Sequence, residues 1–124
     1  MKKPCIIGFT VALVLSFVLV APAASAKPRG IPNWDEDYDT GSHQSWAYAY
    51  IYAMWNTITK QYQQHDHQND GDAEEPGYYY YVYPSHSYDK YYPSAGTQVY
   101  WSNNPDGPWY PTGAYAWAQL SPLE

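Results

Sequence analysis

The hydrophobic pattern divides the chain into stretches of different period. Ile6 to Val20 is apolar apart from Gly8, Thr10 and Ser16. Gln44 to His65 is free of Pro and Gly, and Ala47, Ile51, Met54 and Ile58 recur within it at helical spacing. Tyr48, Tyr52, Trp55 and Tyr62 form a second stripe beside them, widened by Trp46 and Tyr50. The spacing predicts one helix over 44–65, apolar on several sides and so in need of cover on several sides. Ser42 is placed to cap it, with carboxylates at 35, 36, 37 and 39 near the positive end of its dipole. Residues 66–77 read as a polar, acidic loop, with Asn69-Asp70-Gly71 stopping the helix and Pro76-Gly77 closing the loop.

From 78 to 119 the pattern becomes β-rich. Tyr83-Pro84-Ser85, Tyr92-Pro93-Ser94, Trp101-Ser102 and Tyr110-Pro111-Thr112 fall nine residues apart, which suggests short strands with each Pro at a strand end. Thr97 to Tyr110 predicts a hairpin, its turn carried by Asn103-Asn104-Pro105-Asp106-Gly107. In its Ser, Asp-Gly and Trp this hairpin resembles the aspartate-box hairpins of extracellular β proteins, although its glycine spacing differs. The expected fold is α+β: one aromatic-rich helix packed on a short antiparallel β-sheet of about three or four strands. Partial disorder is expected too, with the acidic segments mobile.

Position along the chain refines this division. Met1-Lys2-Lys3, the apolar run and Ala24-Ser25-Ala26 match a secretory signal peptide over 1–26, cleaved before Lys27. An acidic extended lead-in over 27–43 and a small domain over 44–124 follow. The one cysteine, Cys5, falls in the leader, so the exported part has no disulfide to compensate for its small size. The expected location is secreted, extracellular or cell-envelope, in a bacterium.

Composition changes the picture most. From Lys27 onward the chain carries all 16 Tyr and all 6 Trp, but only Leu120, Leu123, Ile31, Ile51, Ile58, Val82 and Val99 among large aliphatics. Such a chain builds its core from aromatics, or presents them as a surface. The same stretch has four basic residues against all 12 acidic ones, which argues against nucleic acid and anionic membranes as partners.

Three constellations are candidates for chemistry. Asp66, Asp70, Asp72 and Glu74, with Gln68 and Gly71, follow the start of a calcium loop. The match lacks Asp or Asn at its third position and Glu at its twelfth, so the segment reads as a solvated acidic loop and no cofactor is expected, with weak Ca²⁺ binding as the alternative. Asp35, Asp37 and Asp39 form a second imperfect set. His65-x-His67, joined by His43 or His86, carries donors suited to Zn²⁺ or Cu²⁺. The aromatics of 78–117 are too many for one face of a small sheet, because side chains alternate along a strand. An exposed aromatic patch marks binding. Tyr100, Trp101, Trp109 and Tyr110 are the expected stacking residues, with Asn104 and Asp106 as polar partners.

Asp39 to Ala49, with Ser45 before Trp46-Ala47-Tyr48, resembles the nucleophile segment of papain-like cysteine peptidases, and His86 and Asn104 follow in that family's order. The resemblance implies a hydrolase relative. No cysteine stands at the nucleophile position, and Ser45 to His86 is far shorter than the family's spacing.

The favoured expectation is a non-enzymatic protein that binds glycan or another extracellular or cell-envelope polymer. Alternatives are a Tyr-rich acidic matrix or coat protein that self-associates, with or without Ca²⁺, a degenerate papain-like relative, and a small secreted toxin.

Overall fold

The computed structural model describes residues 30–124, and the expected leader lies outside them. Six strands follow one another: β1 (Gly30–Gly41), β2 (Ser45–Asn56), β3 (Gln61–Ala73), β4 (Tyr79–Ser87), β5 (Ser94–Ser102) and β6 (Tyr110–Gln119). They form two antiparallel sheets, ordered β1-β2-β3 and β4-β5-β6. β1 lies against β6, β2 against β5 and β6, and β3 against β4 and β5. The fold is an all-β sandwich, with no helix among the described residues.

This overturns the expected α+β fold and the helix over 44–65. Trp46-Ala47-Tyr48-Ala49-Tyr50-Ile51-Tyr52-Ala53 alternates large and small side chains, a period of two. Ala47, Ala49, Ile51, Ala53 and Trp55 face the second sheet. Trp46, Tyr48, Tyr50 and Tyr52 are buried on the opposite face with Trp34 and Tyr38 of β1. A strand buried on both faces is apolar throughout, and periodicity alone does not distinguish it from a buried helix.

The turns show where the expected helix breaks. His43 and Gln44 have φ of 59° and 54°, the two left-handed central residues of a turn that Ser45 N closes onto Ser42 O at 3.2 Å, within a three-residue connection. At the other end of β2, the Asn56 side-chain oxygen accepts from Ile58 N at 2.8 Å and Thr59 N at 3.0 Å. That turn reverses the chain in the middle of the expected helix.

The acidic segments are corrected as well. Within the lead-in, residues 30–41 form β1, extended as expected and paired with β2 along that strand's whole length. Residues 66–73 of the expected loop are the second half of β3. The Thr97–Tyr110 hairpin is present as β5 and β6. The nine-residue repeat does not mark strand ends throughout, since Pro84 sits inside β4. β4 is an edge strand, where a missing N–H is tolerated.

Alanine resolves the shortage of aliphatics. Ala47, Ala49 and Ala53 of β2 and Ala114, Ala116 and Ala118 of β6 lie in the buried centre, filled out by Ile51, Val99, Trp55, Tyr62 and Leu120. Polar groups bind the layers together. Thr97 Oγ1 donates to the Tyr48 carbonyl across the sandwich at 2.8 Å.

Each seam has its own closure. At the β1–β6 seam, Asp35, Asp37 and Asp39 accept from the backbone N–H of Gln119, Trp117 and Tyr115 at 3.1, 2.9 and 3.1 Å. At the β3 side, Asn69 Nδ2 lies within hydrogen-bonding range of Gly96 O, Thr97 Oγ1 and Ser85 O, at 2.7, 3.0 and 3.2 Å.

Candidate functional site

The two sheets divide the charge unequally. β1 carries Asp35, Glu36, Asp37 and Asp39, and β3 carries Asp66, Asp70 and Asp72. β4, β5 and β6 contain no Asp, Glu, Lys or Arg. Strand alternation turns Ala95, Thr97, Val99, Ala114, Ala116 and Ala118 inward. The opposite set, Tyr79, Tyr81, Tyr83, Tyr115 and Trp117, is exposed. The result is an uncharged, aromatic outer face on the second sheet.

Tyr81, Tyr83, Tyr100 and Trp109 line a shallow pocket of about 210 Å³ on that face. Tyr81 holds it together, with ring centroids 6.3 Å from Tyr83, 6.1 Å from Tyr100 and 5.8 Å from Trp109. The Tyr100 hydroxyl donates to Gln98 Oε1 at 3.2 Å, which fixes its direction. The register places Tyr81 beside Tyr100 and Tyr83 beside Gln98.

The sequence-based site is therefore divided by the fold. Tyr100 and Trp109 reach the pocket. Trp101, the next residue along β5, points the other way and packs 4.4 Å from His43 and 5.1 Å from Tyr110. Asn104 and Asp106 lie in the β5–β6 turn, where Asn104 Oδ1 accepts from Asp106 N at 3.0 Å. Tyr81, Tyr83 and Trp117 were not singled out in the sequence. Tyr78 to Tyr81 is an unbroken tyrosine run, so the sequence does not separate Tyr81 from Tyr80; for Trp117 the signal was the alternation Ala114-Tyr115-Ala116-Trp117-Ala118.

The acidic candidates are drawn out along β3. Asp66, Asp70 and Asp72 each accept from the next backbone N–H, at 2.8, 2.9 and 2.8 Å. Asp66 and Asp72 are six strand residues apart, about 20 Å, so they do not converge on one ion. Glu74 follows the end of β3, its N–H donating to Gln44 O at 3.3 Å. Among the described residues no group of three or more His, Cys, Asp or Glu is arranged to hold a metal.

His65, His67 and His86 do gather, at the β3–β4 seam beside Tyr88. His67 and His86 stack at 3.9 Å with 14° between planes. Ring lone pairs lie in the ring plane, so parallel rings cannot both point at one ion. His67 Nδ1 is 2.7 Å from the Tyr88 hydroxyl. Burial pushes the His67 pKa down; His86 adds to this and Asp66 opposes it. His43 sits at the other end of β3, 3.0 Å from Glu75 and 4.6 Å from the Tyr78 ring.

The peptidase-like order does not become a peptidase-like site. Ser45 is the buried first residue of β2, opposite Ala73, whereas His86 stacks on His67. Ala73 and His67 are six residues apart on β3, again about 20 Å.

No family model, curated protein or solved structure matches this chain.

Proposed function

We propose that the protein binds a neutral glycan through the outer face of the β4-β5-β6 sheet. One observation carries the reading: exposed tyrosine and tryptophan rings share a sheet face whose strands hold no charged side chain. Flat rings stack on the C–H faces of sugar rings, while phenol, amide and indole groups bond the hydroxyls. Tyr and Trp also supply large rigid contact area at low entropic cost. An ionic polymer would leave its charges unpaired on this face, and the acidic balance of the chain repels anionic polymers.

Tyr81, Tyr83, Tyr100 and Trp109 form the pocket in this reading, and Gln98 orients one phenol. Export, expected from the leader, would place that face among envelope or extracellular polysaccharides. Binding without catalysis is the reading adopted.

Retention on an insoluble neutral β-glucan tests it. Wild-type protein should sediment with the polymer, and added salt should not release it, because no ion pair is involved. The double variant Tyr100→Ala, Trp109→Ala should remain in solution while its far-ultraviolet spectrum keeps the β signature. Equal retention of variant and wild type would remove the pocket from the argument. Concentration-dependent sedimentation without polymer would favour the matrix alternative instead.

A further inference from the structure

The same face carries a second aromatic platform away from the pocket. Trp117 of β6 pairs in register with Gly96 of β5. A Cβ on Gly96 would lie 2.7 Å from Trp117 Cε3 and 3.0 Å from Cζ3, so the indole rests directly on the glycine backbone. Trp117 is nonetheless 42% exposed. The indole is thus supported from beneath by the sheet and open above it.

Two bonds hold this platform in place. The Trp117 indole Nε1 donates to Gln119 Oε1 at 3.2 Å, which sets the ring's rotation. The Trp117 backbone N–H donates to Asp37 Oδ2 at 2.9 Å, which ties its edge strand to β1. Two strands make the support: Gly96 leaves room for the ring, and Asp37 fixes the backbone that carries it.

The register also sets its distance from the pocket. Across the sheet, Ser85, Gly96 and Trp117 form one row, Tyr83, Gln98 and Tyr115 the next, and Tyr81 and Tyr100 the third. Gly96 and Tyr100 are four strand residues apart, roughly 13 Å. Tyr115 lies between, its ring 6.4 Å from Trp117. None of the residues in these three rows is charged, and the carboxylates of Asp37 and Asp39 meet the β6 backbone at the sheet's edge.

Resting on the glycan reading above, we propose that Trp117 is a second stacking subsite and that the ligand is an extended neutral polysaccharide spanning both platforms. A mono- or disaccharide occupies the pocket alone. Gly96 and Asp37 act as positioning residues for the Trp117 ring.

Calorimetric titration with a ladder of neutral β-linked gluco-oligosaccharides, from disaccharide to hexasaccharide, tests this. Wild-type affinity should rise with chain length. In Trp117→Ala the hexasaccharide should bind about tenfold more weakly, the scale of one lost aromatic contact, with less than a twofold change for the disaccharide. Gly96→Ala, which keeps the indole but lifts it off the sheet, should flatten the length dependence in the same way. A Trp117→Ala protein that matches wild type at every length overturns the second subsite and leaves the pocket reading standing. An equal loss at every length assigns Trp117 a structural role and also overturns the proposal. A wild-type protein that binds none of the ladder removes the glycan reading itself, and the second subsite with it.

Discussion

Asn69 links the two sheets through a single amide. Its Nδ2 lies between Gly96 O, Thr97 Oγ1 and Ser85 O, so β3 is tied at once to β4 and β5. Asn69→Ala strands these acceptors, and a loss of about 2 kcal/mol is expected in chemical denaturation. Asn69→Asp replaces the donor with an acceptor facing other acceptors and should cost more. His67 adds a pH-dependent term at the same seam. Its folded pKa lies below its unfolded value of about 6.5, because burial and His86 disfavour the imidazolium. The unfolded chain therefore binds the proton first. Stability should be full above the unfolded pKa and decline as the pH falls from there through the folded one. Denaturant midpoints between roughly pH 5 and 7 read that slope, and His67→Gln should flatten it.

At the scale of elements, β6 is an edge strand whose free donors are covered by side chains of β1. Open edges invite pairing with other chains. Here Asp35, Asp37 and Asp39, spaced by two along β1, meet the N–H groups of alternate residues on β6. Asp37→Ala should cost about 1–2 kcal/mol, the low part of the range for a bond to a charged group, since the site is only half-buried. The faster amide exchange should centre on Trp117. Asp37→Asn keeps an acceptor and should recover part of the loss. The same element shows how acidic residues mislead. Asp-x-Asp-x-Asp has the spacing of a calcium set, yet it is a strand whose alternate carboxylates reach a neighbouring backbone. β2 misled in the opposite direction. Its alanines at 47, 49 and 53 alternate with aromatics, but Ala47, Ile51 and Met54 also match a helix. Pairing with both β1 and β3 decides between the two periods, and each of those partners is reached through a turn.

Over the whole molecule, aromatics serve both roles suggested by their number. Tyr48, Tyr50 and Tyr52 are buried on the first sheet, and Tyr79, Tyr81 and Tyr83 are exposed on the second. Burial raises the pKa of Tyr48, with Glu36 adding to it through its charge and hydrogen bond. Burial likewise raises Tyr50, helped by Asp66, Tyr52 and Glu36. A raised phenol pKa means the fold favours the protonated form. Stability should therefore be intact below the unfolded value of about 10 and decline as the pH rises toward the folded one. Absorbance titration should show these phenolates appearing together with loss of the β signal. Tyr50→Phe should weaken that alkaline transition.

Much of the chemical character is local and legible in the chain. The aromatic excess, the acidic balance, the uncharged segments that become β4, β5 and β6, and the Asn-Asn-Pro-Asp-Gly turn can all be read without coordinates. Turn chemistry is local, which is why the Thr97–Tyr110 hairpin was expected where it forms. The tertiary structure alone decided which aromatics are buried, which of Tyr100 and Trp101 reaches the pocket, and that Trp117 lies on Gly96. Those outcomes depend on which sheet face is covered. Cover comes from strands as distant as β1 and β6, whose hydrogen bonds join Asp35 to Gln119.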